Sequence, residues 1–157
     1  MKTLILRIIT AWAALRAGKV FAADNISVIA SCREDADIIT GALTVLKTHT
    51  GNAEHYNLVT ENIRMILVAR NRHLPPFCVW YKKKQLVLRR DFLADTTSLI
   101  CASMLVNYAC LLRDELSPYA VSAIDEQLRF LAAEEPASCQ VMIDYYRKLG
   151  HDFTFEL

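Results

Sequence analysis

The sequence predicts an α+β fold in which about five helices pack around a small antiparallel or mixed sheet, with an all-α fold as the alternative. Three observations support this prediction. Apolar residues recur at helical spacing in several long segments, two short β-prone runs flank a lysine turn, and the chain has only four glycines and four prolines. With 157 residues, of which 54% are hydrophobic, the chain is long enough to bury a core. We therefore expect one globular domain over residues 23–157.

The first half of the chain is expected to contribute two helices and a strand. Ser31 followed by Glu34 forms a capping box, so a helix is predicted from Cys32 to Thr48. A short helix over Ala53–Asn62 should follow, and it leads into the branched run Ile63–Val68, which is typical of a strand.

A hairpin is expected in the middle of the chain. The runs Phe77–Tyr81 and Gln85–Arg89 are short and β-prone, and Lys82–Lys84 between them is typical of a solvated turn.

Three helices are predicted in the second half, with their starts assigned from capping residues. Asp95 is a good N-cap for the most hydrophobic helix, and Ser117 with Pro118 is a typical start for the next. Gly150 should end the third helix. The predicted ranges are Asp95–Glu115, Pro118–Glu134 and Ala137–Leu149, with Phe153–Phe155 as an added edge strand.

Residues 1–22 permit two interpretations. Lys2, the apolar run Ile8–Leu15 and Val20-Phe21-Ala22 resemble a secretory signal cleaved after Ala22. The alternative is an N-terminal amphipathic helix that packs on the domain. The first predicts export and the second a cytoplasmic protein, and the pattern leaves both open.

Composition argues against several classes of partner and site. Because 18 basic residues nearly cancel 17 acidic ones, we expect no nucleic-acid partner, and no membrane association apart from residues 1–22. We expect no metal and no cofactor, since the sequence has no Gly-rich phosphate loop and no paired-cysteine metal motif. The histidines and cysteines lie apart from one another: His49, His55, His73 and His151; Cys32, Cys78, Cys101, Cys110 and Cys139.

One family resemblance spans Leu86 to Leu149. The order Leu86–Leu88, Asp91–Leu93 and Leu99–Val106 resembles small zinc metallopeptidase-like domains, in which a short strand and an Ala-rich helix lead into H-E-x-x-H. The segment Asp125–Leu131 is similar to the helix that follows in that family. The resemblance implies a metallopeptidase-like scaffold.

The zinc motif itself is missing from this chain. On that alignment Asn107 stands at the first histidine, Tyr108 at the glutamate and Leu111 at the second histidine. None of them can hold zinc or take a proton from a zinc-bound water. The resemblance therefore implies a catalytically inactive relative with no catalytic residues. The alternative is that Asn107, Tyr108 and Leu111 are the middle of a core helix, because they continue its apolar stripe.

The sequence thus predicts a non-catalytic interaction protein, a pseudo-enzyme on a metallopeptidase-like scaffold, that acts through a surface for a protein partner whose identity is unknown. The alternative is a hydrolase whose active site is assembled from distant residues. A hydrolase needs a nucleophile, a base and an orienting group within hydrogen-bond reach of one another.

Overall fold

Six helices and a five-stranded mixed sheet form the part of the chain that the computed structural model describes, residues 18–48, 53–151 and 155. The predicted α+β fold is confirmed, and the all-α alternative is wrong. The strands are β1 (Lys19–Ala23), β2 (Ile26–Ala30), β3 (Met65–Ala69), β4 (Phe77–Trp80) and β5 (Gln85–Arg89). The helices are α1 (Arg33–Thr48), α2 (Glu54–Asn62), α3 (Arg90–Ala94), α4 (Ser98–Asp114), α5 (Val121–Glu134) and α6 (Pro136–Lys148).

The sheet has the strand order β1-β2-β3-β5-β4. Its centre is parallel, because β2 pairs with β3 and β3 pairs with β5 in the same direction. The two outer strands, β1 and β4, run antiparallel to their neighbours. Helices α1 and α2 connect β2 to β3. After β3 the chain first forms the edge strand β4 and then turns back to form β5, which lies between β3 and β4.

The hairpin of β1 and β2 is the part of the sheet that the sequence did not predict. Asp24 has a φ of 53° at its turn, a left-handed conformation that aspartate tolerates better than most residues. Asp24 also accepts hydrogen bonds from Lys47 Nζ and from the Tyr56 hydroxyl, so the turn is tied to α1 and α2. A cleavage after Ala22 would remove four of the five residues of β1. Residues 1–17, on which both interpretations of the N-terminus depend, lie outside the described residues.

The predicted central hairpin is confirmed. Strands β4 and β5 pair antiparallel from Phe77 opposite Leu88 to Trp80 opposite Gln85, and a single 3₁₀ turn over Tyr81–Lys83 joins them. Strand β3 begins two residues later than expected and ends at Ala69. The expected strand at Phe153–Phe155 lies outside the described residues except for Phe155, which belongs to no strand.

The start of α4 was predicted wrongly. Asp95 is not the N-cap of this helix. It directly follows the short helix α3, Arg90–Ala94, and the Thr96 hydroxyl donates to Leu93 O at the end of α3. Helix α4 is capped by Thr97, whose hydroxyl accepts a hydrogen bond of 3.2 Å from the Ile100 amide.

The start of α5 was also wrong, since this helix begins at Val121 and not at Pro118. Tyr119 has a φ of 66°, which a right-handed helix cannot accommodate. Its ring stacks on His151 at 4.6 Å and meets the edge of Phe77 at 5.3 Å. These ring contacts favour a turn where the sequence alone favours a helix.

The two faces of the sheet have different surroundings. One face joins the helices in the hydrophobic core, through residues such as Val28, Ile66 and Leu86, all with no exposed surface. Helix α4 contributes most to this core, because every residue from Cys101 to Leu112 is buried. The opposite face is here called the rear face. It is defined by Val20, Ile29, Leu67, Val87 and Cys78, one residue from each strand in a single cross-strand row.

Candidate functional site

The three degenerate motif positions lie in the packed interior of the helices. Asn107, Tyr108 and Leu111 are 3%, 4% and 0% exposed. The Tyr108 ring packs on Phe77 at 4.5 Å, and burial raises the pKa of its hydroxyl well above the ordinary value. These contacts agree with the alternative in which the segment is the middle of a core helix.

Asn107 belongs to a buried polar network that joins α4, α5 and α6. Its side-chain amide donates to Gln127 Oε1 at 2.8 Å and to the Tyr146 hydroxyl at 3.1 Å. Gln127 in turn donates to the Ser103 hydroxyl at 3.1 Å. Because a buried polar group is costly when unpaired, this network specifies how the three helices meet.

Among the described residues, one histidine is hydrogen-bonded to a carboxylate, the arrangement that the hydrolase alternative needs for a base. His55 Nε2 lies 2.9 Å from Glu126 Oε1, and Arg129 contacts the same carboxylate. Within the described residues, no hydroxyl or thiol is hydrogen-bonded to the His55 ring. The buried thiols of Cys101 and Cys110 are poor nucleophiles, since burial raises their pKa to about 12 and about 11.

A different set of side chains meets at the carboxyl ends of the three parallel strands. Asp35 lies in the first turn of α1, just after β2, while Arg70 directly follows β3 and Arg90 directly follows β5. Because β2, β3 and β5 run in the same direction, these three residues lie at the same edge of the sheet. We call this group the arginine edge: Asp35, Arg70, Arg72, Arg89 and Arg90.

Asp35 is the centre of the arginine edge. Its side chain has no exposed surface, and its two oxygens each accept from a different arginine. Arg70 Nε donates to Oδ2 at 3.0 Å, and Arg90 Nε donates to Oδ1 at 2.9 Å. One buried carboxylate therefore fixes two guanidinium groups from neighbouring strand ends.

The two guanidinium groups remain accessible to solvent. The Arg70 and Arg90 side chains are 57% and 40% exposed. Both use Nε for Asp35, and Arg70 also donates from Nη2 to Cys32 Sγ at 3.3 Å. No described residue accepts a hydrogen bond from the terminal Nη atoms of Arg90. The Nη donors of Arg90 are therefore left over on a side chain that Asp35 holds through Nε.

The arginine edge keeps a small excess of positive charge, with four arginines against the three carboxylates that neighbour them, Glu34, Asp35 and Asp91. Burial by itself would raise the pKa of Asp35, but the hydrogen bonds from Arg70 and Arg90 outweigh burial and lower it. Asp35 is thus ionised at neutral pH and cancels one of the two positive charges. Arg89 is paired with Asp91 at 2.6 Å and donates to Leu74 O at 2.8 Å. Arg72 is exposed on the connection after β3.

The sequence interpretation missed the arginine edge. The available signal was an arginine at or just after the end of two of the three β-prone runs, at Arg70 and at Arg89-Arg90, together with an aspartate in the first turn of the helix after Ala30. These positions converge only if the runs are neighbouring parallel strands. The sequence provided no evidence for that pairing, since β2 itself was not predicted.

In residues 18–48, 53–151 and 155, no three His, Cys, Asp or Glu side chains converge to hold a metal ion. None of the helices described is both long and apolar enough to span a bilayer. Comparison of the chain with models of protein families, with curated proteins and with solved structures found no match.

Proposed function

We propose that this protein is a non-catalytic interaction protein that binds a phosphoryl group carried by a partner protein, and that the arginine edge is its binding surface. The observation that carries this role is the pair of half-exposed guanidinium groups held by the buried Asp35 carboxylate. The role does not depend on the metallopeptidase resemblance, and the pseudo-enzyme interpretation stays a prediction.

The chemistry of arginine supports a phosphoryl ligand. Guanidinium groups offer planar forks of donors that match phosphate oxygens, and arginine clusters recognise phosphorylated motifs in many protein partners. A phosphoryl group on a side chain carries about −1.5 to −2 charges at neutral pH and three strong acceptor oxygens. It can therefore use donors from Arg70 and Arg90 together, and exposed Arg72 lies on the adjoining connection.

Pre-organisation supports the same role. A flexible arginine loses side-chain entropy when it binds a ligand, and this loss weakens binding. Asp35 holds both Nε atoms before any ligand arrives, so much of that entropy is already lost in the folded protein. The surface position of both groups suits a phosphoryl group that is presented on another protein.

The test is calorimetric titration of the full chain with phosphoserine at low ionic strength, with glutamate as the carboxylate comparison. We expect saturable binding of one phosphoserine per chain and much weaker binding of glutamate. Arg90→Lys keeps the charge but loses the fork, so it should weaken phosphoserine binding by about tenfold.

Arg129→Lys is the matched control, because Arg129 is a 69% exposed arginine on α5 that also pairs with a carboxylate. It should leave the affinity unchanged. Absence of saturable binding, or equal affinity in the native and Arg90→Lys proteins, would show that the two arginines only hold α1 to the strand ends.

A further inference from the structure

Strand β4 is paired on one side only within the described residues. The strand order places β4 at the margin of the sheet, where it pairs with β5 alone. The unpaired side of an edge strand presents backbone N–H and C=O groups, which can bond to a strand from another chain. The hydrogen bonds between β4 and β5 show which residues present these groups.

The alternation of hydrogen bonds along β4 follows from the contact just before its first residue. The Arg89 amide donates to Pro76 O at 3.0 Å, so these two residues form a hydrogen-bonded pair. In an antiparallel ladder every second pair is hydrogen-bonded. Cys78 and Trp80 therefore also direct their backbone groups towards β5.

Phe77 and Val79 direct their backbone groups to the opposite side, away from β5. On that side, no described residue forms a backbone hydrogen bond with either of them. Their side chains do not cover this side, because both pack against the hydrophobic core. We call the N–H and C=O groups of Phe77 and Val79 the β4 edge.

The turn at the end of β4 carries an excess of positive charge. Its lysines are Lys82–Lys84, and the amide of the exposed Arg64 donates to Lys84 O at 2.8 Å. No described carboxylate forms an ion pair with any of these four side chains. Two exposed carboxylates, Glu61 and Glu115, lie on or next to residues that bond to the turn. Four cationic groups therefore stand against two carboxylates.

We propose that the β4 edge binds an extended acidic segment of a partner protein as a sixth strand of the sheet. Main-chain hydrogen bonds to Phe77 and Val79 hold the segment, as in other complexes formed by strand addition. Its carboxylates meet the lysines of the turn, and its apolar side chains pack on the Trp80 ring, which is 42% exposed and lies 4.6 Å from Lys83 Nζ. The β4 edge uses no residue of the arginine edge, so the proposal is independent of the phosphoryl site.

The charge of the turn and the backbone of the edge together select the occupant. A second copy of β4 would bring its lysines opposite the same turn or opposite the arginine edge, and like charges repel. A nucleic acid carries the complementary charge, but it has no row of N–H and C=O groups to pair with the strand. An acidic polypeptide supplies both features.

The test is ¹⁵N NMR of the full chain with the capped hexapeptide Glu-Val-Glu-Val-Glu-Val as the probe. We expect saturable binding in which the amide hydrogens of Phe77 and Val79 exchange with D₂O about tenfold more slowly, or slower still. Cys78 and Trp80 are the internal control, because their amides bond to β5 and should be protected with and without the peptide. Absence of saturable binding, or protection of Phe77 and Val79 in the free protein, would overturn the proposal.

Two further comparisons separate strand addition from attraction by charge. The fully N-methylated hexapeptide keeps its carboxylates but has no N–H donors, so it should not bind. Lys83→Glu should weaken binding of the unmodified hexapeptide about tenfold, because it places like charges together. Lys148→Glu, which changes an exposed lysine on α6, should leave the affinity unchanged. Equal binding of the N-methylated peptide or of a single-stranded oligonucleotide, or an unchanged affinity in the Lys83→Glu protein, would contradict the proposal.

Discussion

At the scale of single residues, the most informative side chain is Asp35. A buried carboxylate is stable only when it is paired and hydrogen-bonded, and its two arginine partners come from elements 35 and 55 residues further along the chain. It therefore joins the start of α1 to the ends of β3 and β5. In the function proposed above, the same pairing holds the guanidinium groups ready for an anion.

Asp35→Asn should lower the free energy of unfolding at pH 7 by about 1–3 kcal/mol, because it removes the negative charge that accepts two hydrogen bonds from arginines. The loss is no larger because both arginines are partly exposed, so solvent screens their charges. The loss of stability caused by Asp35→Asn should be full at neutral pH and should shrink in acid. The pKa of Asp35 is lowered in the folded protein, so its stabilisation is complete above the ordinary value of 3.8. It is lost as pH falls through the lowered pKa.

Urea denaturation of both proteins at pH 7, 5 and 3 measures this dependence. The difference between them should persist at pH 5 and shrink only below the ordinary aspartate pKa. Asp37→Asn is the control, since Asp37 is exposed on the same helix. It should change stability by no more than about 0.5 kcal/mol. A difference that is the same at all three pH values would contradict the assigned pairing.

At the scale of elements, α4 is the centre of the core. Leu105 has no exposed surface, and α4 packs against α1, α2 and α5. Leu105→Ala should therefore destabilise the protein by about 2–5 kcal/mol, the usual cost of truncating a buried leucine. The urea midpoint at an unchanged slope measures the loss.

Lys82→Ala provides the comparison for α4, because Lys82 is exposed in the turn between β4 and β5. It should fall within about 0.5 kcal/mol of the native protein. If Leu105→Ala proves equally mild, α4 is peripheral, and the buried positions Asn107, Tyr108 and Leu111 need another explanation.

Elements with a local pattern were predictable, and those whose ends depend on distant contacts were not. The stripe in α1 and the two runs of the central hairpin were assigned from their own residues. The start of α5 was missed because Tyr119 leaves the helical conformation to stack on His151, which is 32 positions away in the sequence. Strand β1 was missed because Val20-Phe21-Ala22 also fits a cleavage site.

At the scale of the whole molecule, the helices cover one face of the sheet and leave the arginine edge at its rim. The class of fold followed from periodicity, but the order of the strands did not. Parallel pairing of β2, β3 and β5 joins segments that local patterns cannot relate. The candidate site depends on that pairing, so it emerged only from the structure, while the predicted motif positions proved to be buried in the core.

The central claim is that Arg70 and Arg90 form one phosphoryl-binding site. The most direct test follows the arginine side-chain Nε–H signals of ¹⁵N-labelled full-length protein by NMR during titration with phosphoserine. We expect the signals of Arg70 and Arg90 to shift together along one saturable curve, while the signal of Arg129 stays in place. Unchanged Arg70 and Arg90 signals, or equal unsaturated drifts of all arginine signals, would contradict the claim.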